Sequence, residues 1–147
     1  VAGPHIPSAV LRSFPVAGIN RMPRTNRSTT MLITMLKAKI HRATLTGTEL
    51  NYEGSITVDR ALLDKAGILP GEQVHVLNVN NGSRLVTYAI TAPRGSGTVL
   101  LNGPAARLGT VGDQVVILSY CHIAADEARK HKPVVILVDG KNRPRKK

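Results

Sequence analysis

The sequence predicts a small, mainly β domain of barrel type with a few short helices, and three observations carry that expectation. From residue 31 onward, short segments alternate apolar with polar residues and are divided by turns containing Gly, Asn or Pro. One turn-plus-strand unit occurs twice: Pro70-Gly71-Glu72-Gln73-Val74-His75-Val76-Leu77-Asn78 aligns with Val111-Gly112-Asp113-Gln114-Val115-Val116-Ile117-Leu118-Ser119, which points to an internal pseudo-twofold. The chain has 147 residues, 42% of them hydrophobic, enough for one domain with a core and tails.

The elements follow in order. Leu36 to His41 alternates small or apolar residues with basic ones, as a half-buried strand does, and places Lys39 and His41 on one face. Ile56-Thr57-Val58 reads as a second strand. Asp59 can cap a short helix from Arg60 to Lys65, with Gly67 as its stop. Val74–Val79 and Arg84–Ile90 flank Asn80-Asn81-Gly82 and predict a hairpin with an Asn-Gly turn, with Arg84, Val86 and Tyr88 on one side. Strands are expected near Val99–Leu101, Gln114–Tyr120 and Val134–Val138, and a short helix around Ala124–Lys130. Pro104 suits the first position of another short helix and Gly109 its end.

The formal charge of +11 sits mostly at the ends. Residues 1–30 hold four Arg and no acid, and residues 139–147 hold five basic residues and one acid, which leaves 11 basic and 8 acidic residues, a net +3, for 31–138. Residues 1–30 also lack periodicity and are expected to be a disordered extension before a domain spanning 31–140, with 141–147 as a basic tail. The leader has the acid-free, Arg- and Ser-containing look of a transit peptide, but an upstream extension before Met31 is the preferred reading. One cysteine, Cys121, rules out an intrachain disulfide and suits a cytoplasmic setting. No run of 18 apolar residues occurs, so no membrane helix is expected. With no Trp and one Phe, platforms for stacking bases are scarce. The non-enzymatic alternative is a basic β-barrel that binds nucleic acid through its ends. It predicts salt-sensitive affinity lost on removing 1–30 and 141–147, whereas an enzyme of the central domain should survive both truncations.

Motifs for zinc proteases, redox thiols, phosphate loops and serine hydrolases are absent, and the five histidines are dispersed, so no metal site is expected. What remains is Tyr52-Glu53-Gly54-Ser55. A Gly-Ser step is usually a plain turn. Under backbone strain it also permits attack of the Ser55 hydroxyl on the Gly54 carbonyl, followed by elimination and hydrolysis to a pyruvoyl group.

Several further stretches bear on that choice: Thr34-Met35-Leu36-Lys37-Ala38-Lys39-Ile40-His41-Arg42-Ala43, Leu50-Asn51-Tyr52-Glu53-Gly54-Ser55, Ala66-Gly67-Ile68-Leu69 and Asn80-Asn81-Gly82-Ser83-Arg84. They continue in Thr87-Tyr88-Ala89-Ile90, Arg94-Gly95-Ser96, Asn102-Gly103-Pro104-Ala105-Ala106 and Gly112-Asp113. In this order and spacing, over roughly 31–140, the sequence resembles the pyruvoyl-dependent aspartate 1-decarboxylases.

The resemblance implies a double-psi β-barrel, cleavage between Gly54 and Ser55, and a covalent pyruvoyl cofactor derived from Ser55 that forms a Schiff base with L-aspartate. Loss of CO₂ would give β-alanine for pantothenate synthesis. It further implies a homotetramer of cleaved α and β chains with active sites between subunits, and no nucleic-acid or membrane partner. By resemblance, Tyr88 is the proton donor and Lys39, Arg84, Thr87, Gly103, Pro104 and Ala105 contact substrate. Gly54, Tyr52, His41 and Asn102 serve processing or support. Each has an ordinary alternative: a core tyrosine, a surface arginine, a solvated lysine, a strand threonine. Pro104 departs from the family's usual Gly-Ala-Ala, and having no N–H it cannot donate a backbone bond to substrate.

Overall fold

The computed structural model describes residues 30–145. The expectations for 1–29 and for Lys146 and Lys147 lie outside the described residues.

Alternation draws Leu32–Thr44 into one long strand, β1, which buries Ala38, Ile40 and Ala43 and turns its basic residues outward. Two bulges bend it, and Arg42, at φ 60°, lies in the second. Then come β2 (Gly47–Glu49), β3 (Ser55–Asp59), helix α1 (Arg60–Ala66), β4 (Gln73–Asn78), β5 (Arg84–Ala92), β6 (Val99–Asn102), a 3₁₀ helix (Gly103–Leu108), β7 (Gln114–Ala124), helix α2 (Ala125–Ala128) and β8 (Val134–Leu137).

The eight strands of the described residues form one sheet in the order β2-β6-β3-β5-β4-β7-β1-β8. Its ends are brought round a single core. The chain leaving β1 bonds to β6 through Thr46 N–H and the Val99 carbonyl, 2.7 Å, and α1 packs against β1 and β8 as well as β3 and β5. Ile40, Leu45, Ile56, Val58, Leu62, Val76, Leu101 and Ile117 meet in one buried cluster. The result is the mainly β, barrel-like fold that the sequence predicts.

The repeated unit has a structural counterpart. β4 and β7 pair antiparallel with Val76 opposite Ile117, residues that occupy the same place in the two copies. His75↔Leu118 and Leu77↔Val116 flank that pair and exchange under a local twofold. The Gly-acid turns obey it too. Gly71 N–H donates to the Ala89 carbonyl and Ala89 N–H to that of Glu72, while Gly112 N–H donates to the Leu45 carbonyl and Leu45 N–H to that of Asp113.

Local signals placed several boundaries. The Asp59 carboxylate accepts from Ala61 N–H at 2.8 Å and caps α1, and Gly67 ends it in the left-handed region at φ 67°. Elsewhere tertiary pairing moved them. β4 stops at Asn78 because Val79 N–H goes to the Gln114 carbonyl of β7 instead of the hairpin, so the connection is longer than an Asn-Gly turn. β7 runs on to Ala124 because β1 pairs with it as far back as Leu32, and this shortens α2.

The expected tail boundary at Lys141 does not hold as far as Arg145. Arg145 N–H donates to the Leu137 carbonyl, and Val138 bridges Pro144. Buried Asn142, at φ 58°, accepts from Thr44 N–H and donates to the Thr44 and Gly97 carbonyls, all within 2.7–2.8 Å.

Candidate active site

Ser55 opens β3 and is fully buried. The link into it is strained: Gly54 has φ 102° and Ser55 φ 147°. Glycine adopts such values freely, but for a serine they are rare and cost on the order of 1–3 kcal/mol, held by surrounding structure.

That structure comes from β6. Asn102 stands directly opposite Ser55 in the β3–β6 ladder, and its side-chain amide donates to Ser55 Oγ and to Thr57 Oγ1, each at 2.8 Å. Thr57 shares the face of Ser55 because strand side chains repeat every two residues. Sequence inspection missed Thr57, although that period alone could have found it.

Parallel pairing with β5 supplies the other wall. Ile56 lies opposite Ala89, which brings Thr87 and Tyr88 to the end of β5 nearest Ser55. A cleft of about 380 Å³ opens there, lined by Gly54, Ser55, Thr87, Tyr88, Pro104 and Ala105 together with Glu53, Leu85, Val86 and Leu108. Six of the expected site residues thus share one cavity. The mostly apolar additions, Leu85, Val86 and Leu108, carry no chemical signature in the sequence.

Other expected residues stand elsewhere. Gly103 does not line the cleft; it lies behind it, against the backbone of Tyr52 and Gly54. The Tyr52 side chain is exposed and lines a separate surface depression with Leu50, Asn51 and Glu53. Lys39 and Arg84 are also outside the cleft, and neither has an ion-pair partner among the described residues.

Both belong to the outer face of the sheet. A cross-strand row runs Val86, His75, Leu118, Lys39, Val135 across β5, β4, β7, β1 and β8, and alternation puts Arg84 and Tyr88 on the side of Val86. The row's ends are open, with Val86 56% and Val135 39% exposed.

His41 lines a different hollow of about 190 Å³ with Arg42, Thr44 and Asp139, and its buried Nδ1 has no hydrogen-bond partner among the described residues. Burial, then the Lys39 and Arg42 charges, push its pKa below the usual histidine value. Among the described residues no group of three His, Cys, Asp or Glu side chains could hold a metal ion.

A polar floor, a strained Gly-Ser junction and a phenol in one cleft suit chemistry at the Gly54–Ser55 peptide. The family profile described as "Aspartate decarboxylase" matches residues 31–145. The chain is 58% identical over 112 residues to "Aspartate 1-decarboxylase" of Caulobacter vibrioides, covering 76% of this chain and 95% of that one. It is 57% identical to the protein of that name from Maricaulis maris over 113 residues, 77% of this chain and 93% of the relative. "Aspartate 1-decarboxylase 2" of Gloeobacter violaceus is 61% identical over 113 residues, 77% and 90% of the respective chains.

Proposed function

This chain belongs to the aspartate decarboxylase family, and we propose that it cleaves itself between Gly54 and Ser55 and then decarboxylates L-aspartate to β-alanine, a pantothenate precursor. The observation that carries the reading is the Gly54–Ser55 junction: strained at the serine, where the side chain is also buried and held by Asn102.

Ser55 Oγ bonds to the Gly54 carbonyl carbon, the Gly54–Ser55 amide breaks, and the hydroxyl proton ends on the freed amine. Elimination removes the Ser55 α-proton and releases Gly54 as a carboxylate. One water then replaces one ammonia, leaving a pyruvoyl end. Strain favours the first step because breaking the Gly54–Ser55 amide releases the strained φ of Ser55. Asn102 fixes the hydroxyl while this happens.

The residues around Ser55 fit such a group. Its ketone would capture the substrate amine and accept the electron pair released with CO₂. Tyr88, partly exposed in the cleft, is placed to return a proton, and Thr87 presents a hydroxyl beside it. Arg84 and Lys39 offer unpaired cations for a dianionic substrate, Arg84 by a two-pronged bond. Both lie on the open outer face outside the cleft lining, so a second copy docking there would complete the site; that the assembly is a homotetramer is what the resemblance implies. A cytoplasmic setting suits a chain whose single cysteine, Cys121, is a free thiol.

Denaturing mass spectrometry of the purified protein tests this reading. Two fragments divided between Gly54 and Ser55 are expected, the C-terminal one lighter by one ammonia than a serine start, with CO₂ release from aspartate. A chain still whole after prolonged warm incubation would overturn it.

A further inference from the structure

Asn102 and Gly103 hold the Gly54–Ser55 junction from two flanks. Asn102 holds the nucleophile through its side chain. Gly103, at φ 59°, lies so close to the other flank that a Cβ there would sit 2.4 Å from the Tyr52 carbonyl oxygen, 2.6 Å from Gly54 N and 2.8 Å from Gly54 Cα. All three are backbone atoms, so no side chain could swing aside to make room. Pro104 follows with a fixed ring, and its Cδ would be the nearest atom to a Cβ on Gly54, at 3.8 Å. The segment ahead of the scissile peptide is therefore seated on a bare Cα.

We propose that Gly103 is a positioning residue for self-cleavage, its missing side chain seating the Tyr52–Gly54 backbone so that the junction keeps the strained φ of Ser55. This rests on the self-cleaving reading above. Gly103 takes no part in bond making; it sets how often the Gly54 carbonyl is presented to Ser55 Oγ. Resemblance had placed Gly103 among substrate contacts, whereas its nearest neighbours here are the loop being cut.

The test compares Gly103→Ala with Gly67→Ala. Gly67 has nearly the same dihedral, φ 67°, but nothing within 4 Å of an added Cβ, so it reproduces the backbone penalty without the overlap. Cleavage of each full-length chain is followed by denaturing mass spectrometry during warm incubation, with thermal melts in a Ser55→Ala background. Gly103→Ala should fold and cleave at least about tenfold more slowly than the parent, while Gly67→Ala melts lower but cleaves at the parent rate. Parent-like cleavage by Gly103→Ala would overturn the proposal. So would a Gly103→Ala chain that cannot fold in the Ser55→Ala background, which assigns the glycine to the fold. Equal slowing by Gly67→Ala would also overturn it, because general destabilisation would then account for the effect. If the parent itself stays whole, the self-cleaving reading fails instead, and the same spectra separate the two.

Discussion

The Asn102 amide donates to Ser55 Oγ over 2.8 Å, from the position directly opposite it in the β3–β6 ladder. The second amide hydrogen goes to Thr57 Oγ1, so both hydrogens of one side chain are used inside the fold. Asn102→Ala should leave the Ser55 hydroxyl free to rotate and unpartnered, destabilising the fold by about 1–3 kcal/mol and slowing self-cleavage roughly 10–100-fold. Thr57→Val keeps the shape but frees one amide hydrogen, and a slowing of about 2–10-fold is expected. Mass spectrometry over time gives both rates; unchanged cleavage in Asn102→Ala would remove the asparagine from the process.

What was legible in the sequence divides along the same line. The Asp59 cap and the Gly67 stop were readable because a cap acts within three or four residues of its own chain. The hairpin and the repeated Gly-acid turn were readable for similar reasons. The meeting of Ser55 with Tyr88 and Thr87 was not, since it depends on parallel pairing of β3 with β5, a contact no local pattern encodes. Resemblance supplied those residues. Geometry adds what resemblance did not specify: Gly103 lies against the Tyr52 and Gly54 backbone, and His41 lines a separate hollow. β2 went unseen because three residues, Gly47–Glu49, show no alternation and pair only through β6.

Asp59 should give the fold an acid-sensitive element. Burial alone would raise its pKa, but the backbone N–H groups of Gly97, Ala61 and Gly95, with the Arg94 charge, outweigh that and hold it below the usual aspartate value. The folded chain therefore prefers the carboxylate more than the unfolded chain does. Its contribution is full above the unfolded pKa, near 3.9, and is lost as pH falls through the lower folded value. Thermal melts should drop below about pH 4. Asp59→Asn should flatten that part of the profile and cost about 1–3 kcal/mol at neutral pH. An unaltered acid limb in Asp59→Asn would assign the sensitivity to other carboxylates.

Asn142 clasps two distant segments, the end of β1 at Thr44 and the Gly97 turn. Truncation after Gly140 removes these bonds and the Arg145–Leu137 bond, so loss of 141–147 should cost stability even where activity survives it. Truncation after Arg145 should leave the melt within about 1 °C, while truncation after Gly140 and Asn142→Ala should each lower stability by about 2–4 kcal/mol. Equal melts for the two truncations would show the clasp to be ornamental to stability.

Lys39 and Ser55 give the sharpest test of a shared site. Lys39 lies on the outer face, with β5, β4 and β7 between its strand and that of Ser55 in the sheet order, and it is absent from the Ser55 cleft. Ser55→Ala cannot mature, and Lys39→Ala should mature but bind the dianionic substrate poorly, raising KM about 10–100-fold. If a neighbouring copy supplies Lys39, co-expression of the two variants places an intact Lys39 beside a matured Ser55 at some interfaces. Random assembly from equal amounts should then restore about a quarter of the parent activity, far above either variant alone. Activity no greater than the Lys39→Ala share would mean that Lys39 serves only its own chain, and the outer face would lose its catalytic role.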